Sequence, residues 1–365
     1  MVQADDYSHM AGAIRLAKRG LYTTDPNPRV GCVLVKKGKV IGEGWHERAG
    51  EPHAEIMALK AAGDAAKEAT AYISLEPCCH HGRTPPCSDA LISAGISRAV
   101  IAMEDPNPQV AGNGIKQLSE AGIDVESGVM TAQAEALNPG FIQRMREGKP
   151  FIRCKLAMSL DGRTAMASGE SQWITGEPAR EDAHRLRARS SAIITGIETV
   201  LADNPSLNAR LEGVEVNQPI RVVLDSHLRM PLDARMFSLP GRTVICTTQQ
   251  DKKKVDELIN AGAEVVQLPE DNGRISLDAL MDYLAEEQVN EVMVEAGATL
   301  NGALLQTGLV DEIVVYMAPL LMGDEARSLF TLPGLSQMKN RVSLYISDMR
   351  AVGKDWRIVA RPQMA

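Results

Sequence analysis

Aromatic side chains are scarce in this chain: three Trp, six Tyr and four Phe, 4% of 365 residues. So few rings leave little for stacking on the bases of a nucleic acid. Nor is there a basic excess, with 39 Lys and Arg set against 47 Asp and Glu and a formal net charge of −8. That balance excludes the broad basic face that nucleic-acid binding needs, though not a local basic pocket for a phosphorylated small molecule. No apolar run approaches the length of a membrane span. The start, M-V-Q-A-D-D-Y-S, has neither the basic opening nor the apolar stretch of a secretory signal, so the cytoplasm is the expected compartment. Cysteine is sparse too. Of six, Cys32, Cys154 and Cys246 lie singly in apolar strand-like runs, where a thiol is a small buried hydrophobe, and no disulfide framework is implied.

The other three cysteines lie close to histidine. His53 and Glu55 stand in E-P-H-A-E, and Cys78 and Cys87 in L-E-P-C-C-H-H-G-R-T-P-P-C. One imidazole and two thiolates form a borderline-soft donor set that suits zinc, and three protein ligands leave a fourth tetrahedral position for water. Zinc lowers the pKa of such a water to about 7. Glu55 is not needed as a ligand and is free to move protons between water and a substrate nitrogen. H-x-E followed by P-C and a later Cys is the pattern of zinc deaminases, although their two cysteines are usually two residues apart and here eight intervene. Cys79, His80 and His81 are spare donors, so a closed structural site is the alternative. Pro52 ahead of His53, and Thr84-Pro85-Pro86 ahead of Cys87, place these ligands at helix N-termini, whose partial positive charge favours thiolate. His53 and Glu55 then converge only on a point off the helix end.

Along the chain, Met10, Ala13, Ile14 and Ala17 form a helical stripe that ends at Lys18-Arg19-Gly20, read as a basic last turn and a glycine cap. Val30 to Val35 and Val40 to Gly44 flank Lys36-Lys37-Gly38-Lys39 and predict a hairpin. Asp-Pro-Asn-Pro occurs at 25–28 and again at 105–108. Both copies read as turns, and Asn27 of the first is a candidate for holding the edge of a substrate ring. The pattern breaks at Arg146 to Pro150, dividing the chain into domains 1–147 and 148–365. Beyond the break, apolar runs near 191, 221, 243, 291 and 313 alternate with helical patterns near 255, 277 and 300. This predicts an α/β domain with a largely parallel sheet covered on both faces, and the first half alternates similarly, so both domains read as three-layer α/β.

Glu295-Ala296-Gly297-Ala298-Thr299-Leu300-Asn301-Gly302 follows a strand and opens a helix, where backbone amides can approach a phosphate or simply make a turn. Together with H-A-E and the cysteine segment, K-L-A-M-S-L-D-G-R-T-A, S-G-E-S-Q-W-I-T, V-L-A-D-N-P-S-L and V-E-A-G-A-T-L-N-G-A-L-L give six ordered motifs. These resemble the bifunctional deaminase/reductase family of riboflavin biosynthesis over nearly the whole length. Cys79 and Met158 depart from it, standing where the family usually has serine and a small residue.

The resemblance implies a cytidine-deaminase-like three-layer α/β/α domain followed by a dihydrofolate-reductase-like α/β domain. It implies zinc and NADPH as cofactors, a phosphorylated diaminopyrimidine as substrate, and a homo-oligomer. The first step would remove an exocyclic amine and the second would reduce the ribose to a ribityl chain. Carried over motif by motif, Ala157, Trp173, Thr199, Asp203, Ser226 and Gly297, Ala298, Thr299, Leu300, Asn301, Gly302 and Ala303 fall on cofactor positions. Ser171, Arg187, Leu207, Arg210 and Glu295 fall on substrate positions, with the two arginines suited to a phosphate. On its residues alone, Arg187 reads equally as part of the solvated face of an arginine-rich helix. Lys155 joins Glu295 as a charged group near the reduced carbon, and His81 and Arg83 either meet the ribose phosphate or belong to a solvated loop.

Overall fold

The computed structural model describes residues 2–79 and 86–363. It divides into two compact units between Lys149 and Pro150.

The first unit runs α1 (Ala4–Ala17), β1 (Gly31–Lys36), β2 (Lys39–Trp45), α2 (Ala54–Ala62), β3 (Thr70–Ile73), α3 (Cys87–Ser93), β4 (Arg98–Ile101), α4 (Asn113–Glu120), β5 (Asp124–Ser127), α5 (Thr131–Glu135) and α6 (Pro139–Glu147). Its five strands are ordered β2-β1-β3-β4-β5, with β1 antiparallel to both neighbours and β3, β4 and β5 parallel. The expected hairpin is β1–β2, and its two-residue turn, Lys37-Gly38, has φ of 51° and 71° as a primed turn requires. Alternation along β1 separates two cores. Val33 and Val35 pack with Met10, Ala13 and Phe141 on one face, while Cys32 and Leu34 pack with Ala54, Ala58 and Leu91 on the other. This is the three-layer arrangement.

One local expectation is corrected. Gly20 does not cap α1 in a left-handed conformation; the chain continues as a 3₁₀ turn over Lys18–Gly20. A Cβ at Gly20 would lie 2.5 Å from the His46 carbonyl oxygen, so the glycine is there for close approach. More consequential are Gly42 and Gly44 on β2, where a Cβ would meet the carbonyl oxygens of Ala58 at 2.4 Å and Ala54 at 2.3 Å. Helix α2 therefore lies directly on β2, which fixes where its N-terminus points.

The second unit runs β6 (Phe151–Ser159), β7 (Arg163–Ala165), α7 (Glu177–Arg189), β8 (Ala192–Gly196), α8 (Ile197–Asp203), β9 (Ile220–Leu224), β10 (Thr243–Thr247), α9 (Lys252–Asn260), β11 (Glu264–Gln267), two short strands β12 (Glu270–Asp271) and β13 (Arg274–Ile275), α10 (Leu277–Glu286), β14 (Glu291–Val294), α11 (Ala298–Gln306), β15 (Glu312–Ala318), β16 (Arg327–Ser328), β17 (Ser343–Val352) and β18 (Asp355–Gln363). The main sheet has nine strands in the order β11-β10-β9-β8-β14-β6-β15-β18-β17. It is parallel from β11 to β15, and the β17–β18 hairpin adds two antiparallel strands. Cys154, Leu156, Ile194, Val292 and Val294 face one core; Ile193, Val223, Met293, Val314 and Tyr316 face the other. Cys32, Cys154 and Cys246 are fully buried, as their apolar settings predict. No helix among the described residues is long and apolar enough to cross a membrane.

In the first unit, Asp6 ties α1 to the sheet. Its carboxylate accepts from Arg98 Nη1 at 2.7 Å and Nη2 at 3.0 Å and from the Tyr72 hydroxyl at 2.9 Å. Arg98 above all holds the Asp6 carboxyl down at about 2, against an ordinary 3.8. The native state therefore gains from this group above about pH 4 and loses the gain as pH falls towards 2. Asp6→Asn is expected to lower the urea midpoint of the N-terminal transition at pH 7. The gap to wild type should close between pH 4 and pH 2.

Candidate active sites

His53 is the N-cap of α2, with extended backbone (φ −72°, ψ 165°), and Cys87 is the first residue of α3. Cys78 lies in the loop after β3, and its Sγ accepts the Cys87 backbone N–H at 3.3 Å. The His53 Nδ1 is 3.6 Å from Cys78 Sγ and 3.3 Å from Cys87 Sγ, and the three ligand atoms lie within 4.8 Å of one another. Nitrogen and sulfur on two corners of a tetrahedral zinc site are about 3.5 Å apart. The donor set and its spacing thus fit zinc. Among the described residues this is the metal-competent cluster, and Cys79 is not part of it. His80, His81 and Arg83 lie outside the described residues.

The local fields draw one of the two thiols, Cys78, towards thiolate. A hydrogen bond from Cys87 and then one from His53 draw the Cys78 thiol down to about 4. The same pairing and burial push the Cys87 thiol up. Glu55 sits in the first turn of α2, 3% exposed, and burial raises its carboxyl to about 7, with His53 opposing. A carboxyl poised near neutrality both takes and gives a proton.

Two residues that are neither ligand nor proton carrier brace this site. His46, at the end of β2, is buried and stands edge-on to His53 with ring centroids 5.3 Å apart. Burial lowers its pKa from the ordinary value. Its Nδ1 donates to the Pro52 carbonyl at 3.2 Å, so Nε2 accepts from the Asn27 amide at 3.1 Å. Asn27, expected at a substrate edge, is thereby joined to the residue preceding His53. Glu76 is the second. Its carboxylate accepts from the backbone N–H of Asp105, Gly112 and Ile115, each at 3.0 Å, tying the strand end before Cys78 to the second Asp-Pro-Asn-Pro turn and to the start of α4. Within that turn Asp105 Oδ1 accepts from Asn107 N at 2.8 Å. The sequence signal for Glu76 was its place in L-E-P-C; His46, seven residues before His53, carried none by itself.

In the second unit the expected residues gather at the carboxyl ends of the parallel strands, where open α/β sheets bind ligands. Thr199 and Asp203 lie on α8 after β8, Ser226 follows β9, and Glu295 to Ala303 follow β14. Glu295 forms a fork with Arg187, Oε1 to Nε at 2.5 Å and Oε2 to Nη2 at 2.9 Å, and lies 3.9 Å from Lys155 Nζ. Burial would raise this carboxyl, but Arg187 and then Lys155 bring it to about 2. Burial lowers the Lys155 ammonium from its ordinary range, with Glu295 opposing. Arg187 is therefore no solvated-face residue: its side chain is 17% exposed and its fork is engaged by Glu295. Arg185, two residues earlier, is the solvated one at 61%.

The Gly297–Ala303 segment divides in two. Gly297 caps α11 and is exposed, as is Thr299, so the first turn presents backbone amides outward. Asn301 is fully buried, and its Nδ2 donates to Ala296 O at 2.7 Å and Gly297 O at 3.2 Å. A Cβ on Gly302 would come within 2.1 Å of the Thr331 carbonyl oxygen. Asn301 and Gly302 hold the loop from inside. Trp173 is 69% exposed with the Arg180 guanidinium 4.7 Å from its ring centroid, and Ser171 and Ala157 are partly exposed. Leu207 is buried in a left-handed conformation (φ 45°), and Arg210 is exposed beside His184.

Comparison with known proteins covers both units. Residues 3–103 match the cytidine and deoxycytidylate deaminase zinc-binding region, and residues 150–358 match the RibD C-terminal domain. The chain is 52% identical to the riboflavin biosynthesis protein RibD of Escherichia coli K12 over 362 residues, covering 96% of this chain and 97% of that one.

The chain belongs to the RibD family.

The Haemophilus influenzae RibD is 45% identical over 372 residues, 99% of this chain and 98% of that one. A solved structure of Acinetobacter baumannii RibD superposes with a TM-score of 0.91 at 45% identity, covering 98% of this chain and 99% of that one. The structure of a Thermotoga maritima diaminohydroxyphosphoribosylaminopyrimidine deaminase/5-amino-6-(5-phosphoribosylamino)uracil reductase has a TM-score of 0.86 at 33% identity, covering 98% of this chain and 99% of that one. As a RibD-family chain this is a bifunctional deaminase and reductase of riboflavin biosynthesis, with a cytidine-deaminase-like domain, a dihydrofolate-reductase-like domain, and zinc and NADPH as cofactors. Cys78→Ser and Cys87→Ser are each expected to cut zinc, measured by mass spectrometry, from about one per chain to a small fraction of that. Cys79→Ser should leave it unchanged.

Proposed function

We propose that His53, Cys78 and Cys87 hold the zinc, and that Glu55 carries the proton in deaminating 2,5-diamino-6-(5-phosphoribosylamino)pyrimidin-4-one. The observation that carries this reading is the buried Glu55 carboxyl, set in the first turn of the helix that His53 caps and so beside the His53, Cys78 and Cys87 cluster. When bound, zinc supplies a Lewis acid that lets water act as nucleophile at neutral pH. Glu55 takes the proton from that water and returns it to the departing amine. Asn27, braced by His46, holds the edge of the ring, and His81 and Arg83 are assigned to the ribose phosphate.

For the second step, NADPH supplies a hydride that turns the ribosyl group into a ribityl chain. The outward amides of Gly297 to Leu300 suit its pyrophosphate, because a helix N-terminus favours an anion. Ala157, Trp173, Thr199, Asp203 and Ser226 would line the rest of the cofactor, and Asn301, Gly302 and Ala303 support the loop beneath it. Ser171, Leu207 and Arg210 are assigned to the substrate, with Arg210 on its phosphate. Glu295, fixed by Arg187, orients Lys155 beside the carbon that takes the hydride, where its desolvated ammonium gives a proton to the ribosyl ring oxygen as the C–O bond opens. The domain division at 147/148, work in the cytoplasm and a homo-oligomeric state complete the proposal. The edge strand β17, ten residues long with Leu344, Tyr345, Ile346 and Met349 exposed, supports self-association.

A stepwise assay tests the order of events. Purified protein given the diaminopyrimidine should release ammonia without NADPH, and NADPH oxidation should follow only after that release. Oxidation of NADPH by the undeaminated substrate, or no ammonia from zinc-loaded protein, would reject the reading.

A further inference from the structure

His184 has no part in the assignments above. It lies on α7 three residues before Arg187, so the two side chains leave the same face of the helix one turn apart. Both reach one segment, Asn208 to Arg210. Arg187 Nη1 donates to the Asn208 carbonyl at 3.2 Å. Gln218 grips Ala209 from its own side, accepting its N–H at 3.0 Å and donating to its carbonyl at 2.9 Å. The third hold is His184, whose Nδ1 accepts the Arg210 backbone N–H at 3.3 Å. Each residue of the segment is thus gripped by a different side chain.

The Arg210 side chain turns back over the same elements. Its Nη1 donates to Asn208 Oδ1 at 3.1 Å, and its Nη2 lies 3.2 Å from His184 Nε2. A neutral imidazole has one acceptor nitrogen. With Nδ1 taken by the backbone amide, Nε2 carries the ring proton and cannot also accept from Nη2. On that tautomer the Nε2–H and Nη2 face each other as donors and form no bond, so His184 holds Arg210 through its main chain and leaves the Nη2 donors uncommitted. Burial, then the charges of Arg187 and Arg210, bring the His184 pKa to about 4, so the ring is neutral at physiological pH and keeps its acceptor.

We propose that His184 is a positioning residue of the reductase site: it fixes the main chain at Arg210 so that the guanidinium meets the substrate's phosphate with a donor still available. This rests on the assignment of Arg210 to the phosphate. The alternative is a histidine that merely packs α7 against the loop. The two differ in what a substitution does to KM and kcat.

The test is steady-state reduction by the full-length protein, with NADPH saturating and the deaminated phosphoribosylamino-uracil varied, in His184→Ala, His184→Asn, Arg210→Ala and the double variant. His184→Ala should raise KM about tenfold with kcat within about twofold of wild type, the loss of one oriented hydrogen bond and of the geometry it sets. His184→Asn, whose amide oxygen can accept the same N–H, should restore KM to within about threefold. Arg210→Ala should raise KM by about a hundredfold, and adding His184→Ala to it should raise KM little further. A wild-type KM in His184→Ala beside an impaired Arg210→Ala would overturn the proposal. So would a loss confined to kcat, no rescue by asparagine, or full additivity in the double variant. A wild-type KM in Arg210→Ala would instead show that the phosphate assignment is wrong, and the role of His184 would fall with it. Thermal unfolding of each variant separates these outcomes from misfolding, and the asparagine variant keeps the test open if the alanine variant does not fold.

Discussion

Helix α2 can lie against β2 only because positions 42 and 44 carry no side chain. The Ala54 and Ala58 carbonyl oxygens occupy the space a Cβ would need. With the helix seated there, its N-terminus opens beside the loop after β3 and the start of α3, which brings His53 within reach of Cys78 and Cys87. It also buries Glu55 in the first turn, and that burial moves its carboxyl towards neutrality. Ligand geometry and proton chemistry thus share one packing constraint. Glu76 and His46 reinforce it from either side, one anchoring the approach to Cys78 and the other the approach to His53.

The reductase unit solves a different problem. Its site has no metal cluster among the described residues, and its charges hold one another in place. Glu295, Arg187 and Lys155 neutralise each other at the end of β14, and Arg187 extends this order to the loop that carries Arg210. A buried carboxylate left without such partners would be costly, so the three residues stand or fall together. A site of this kind is preorganised by its own ion pairs and contributes position more than reactive groups.

Much of this was legible in the sequence, for identifiable reasons. The zinc ligands are close in sequence and chemically unusual, so H-A-E and the two cysteines marked them directly. Apolar runs marked the central strands, such as β8, β9, β10, β14 and β15, because these are buried on both faces, whereas β5, β11 and β17 are largely exposed and carried no such signal. What remained hidden depends on side chains meeting across long separations. On its residues alone Arg187 read equally as a substrate contact or a solvated arginine, and only Glu295, 108 residues away, shows where its fork is engaged. Asn301 and Gly302 sat in a motif that suggested cofactor contact, yet they face inward, which only the packing of Thr331 against the helix reveals. His46 and His184 are lone histidines whose roles come from neighbours rather than from spacing. Gly20 read as a cap for the same reason: its close neighbour, the His46 carbonyl, lies 26 residues on.

The central claim, that one buried carboxyl beside a three-ligand zinc site moves the proton, is tested most directly by zinc content and ammonia release measured together in Glu55→Gln. The variant should hold about one zinc per chain and release ammonia at least about a hundredfold more slowly than wild type, since general acid–base help of this kind contributes about 10² to 10⁴. Near-normal ammonia release with zinc in place would contradict the account.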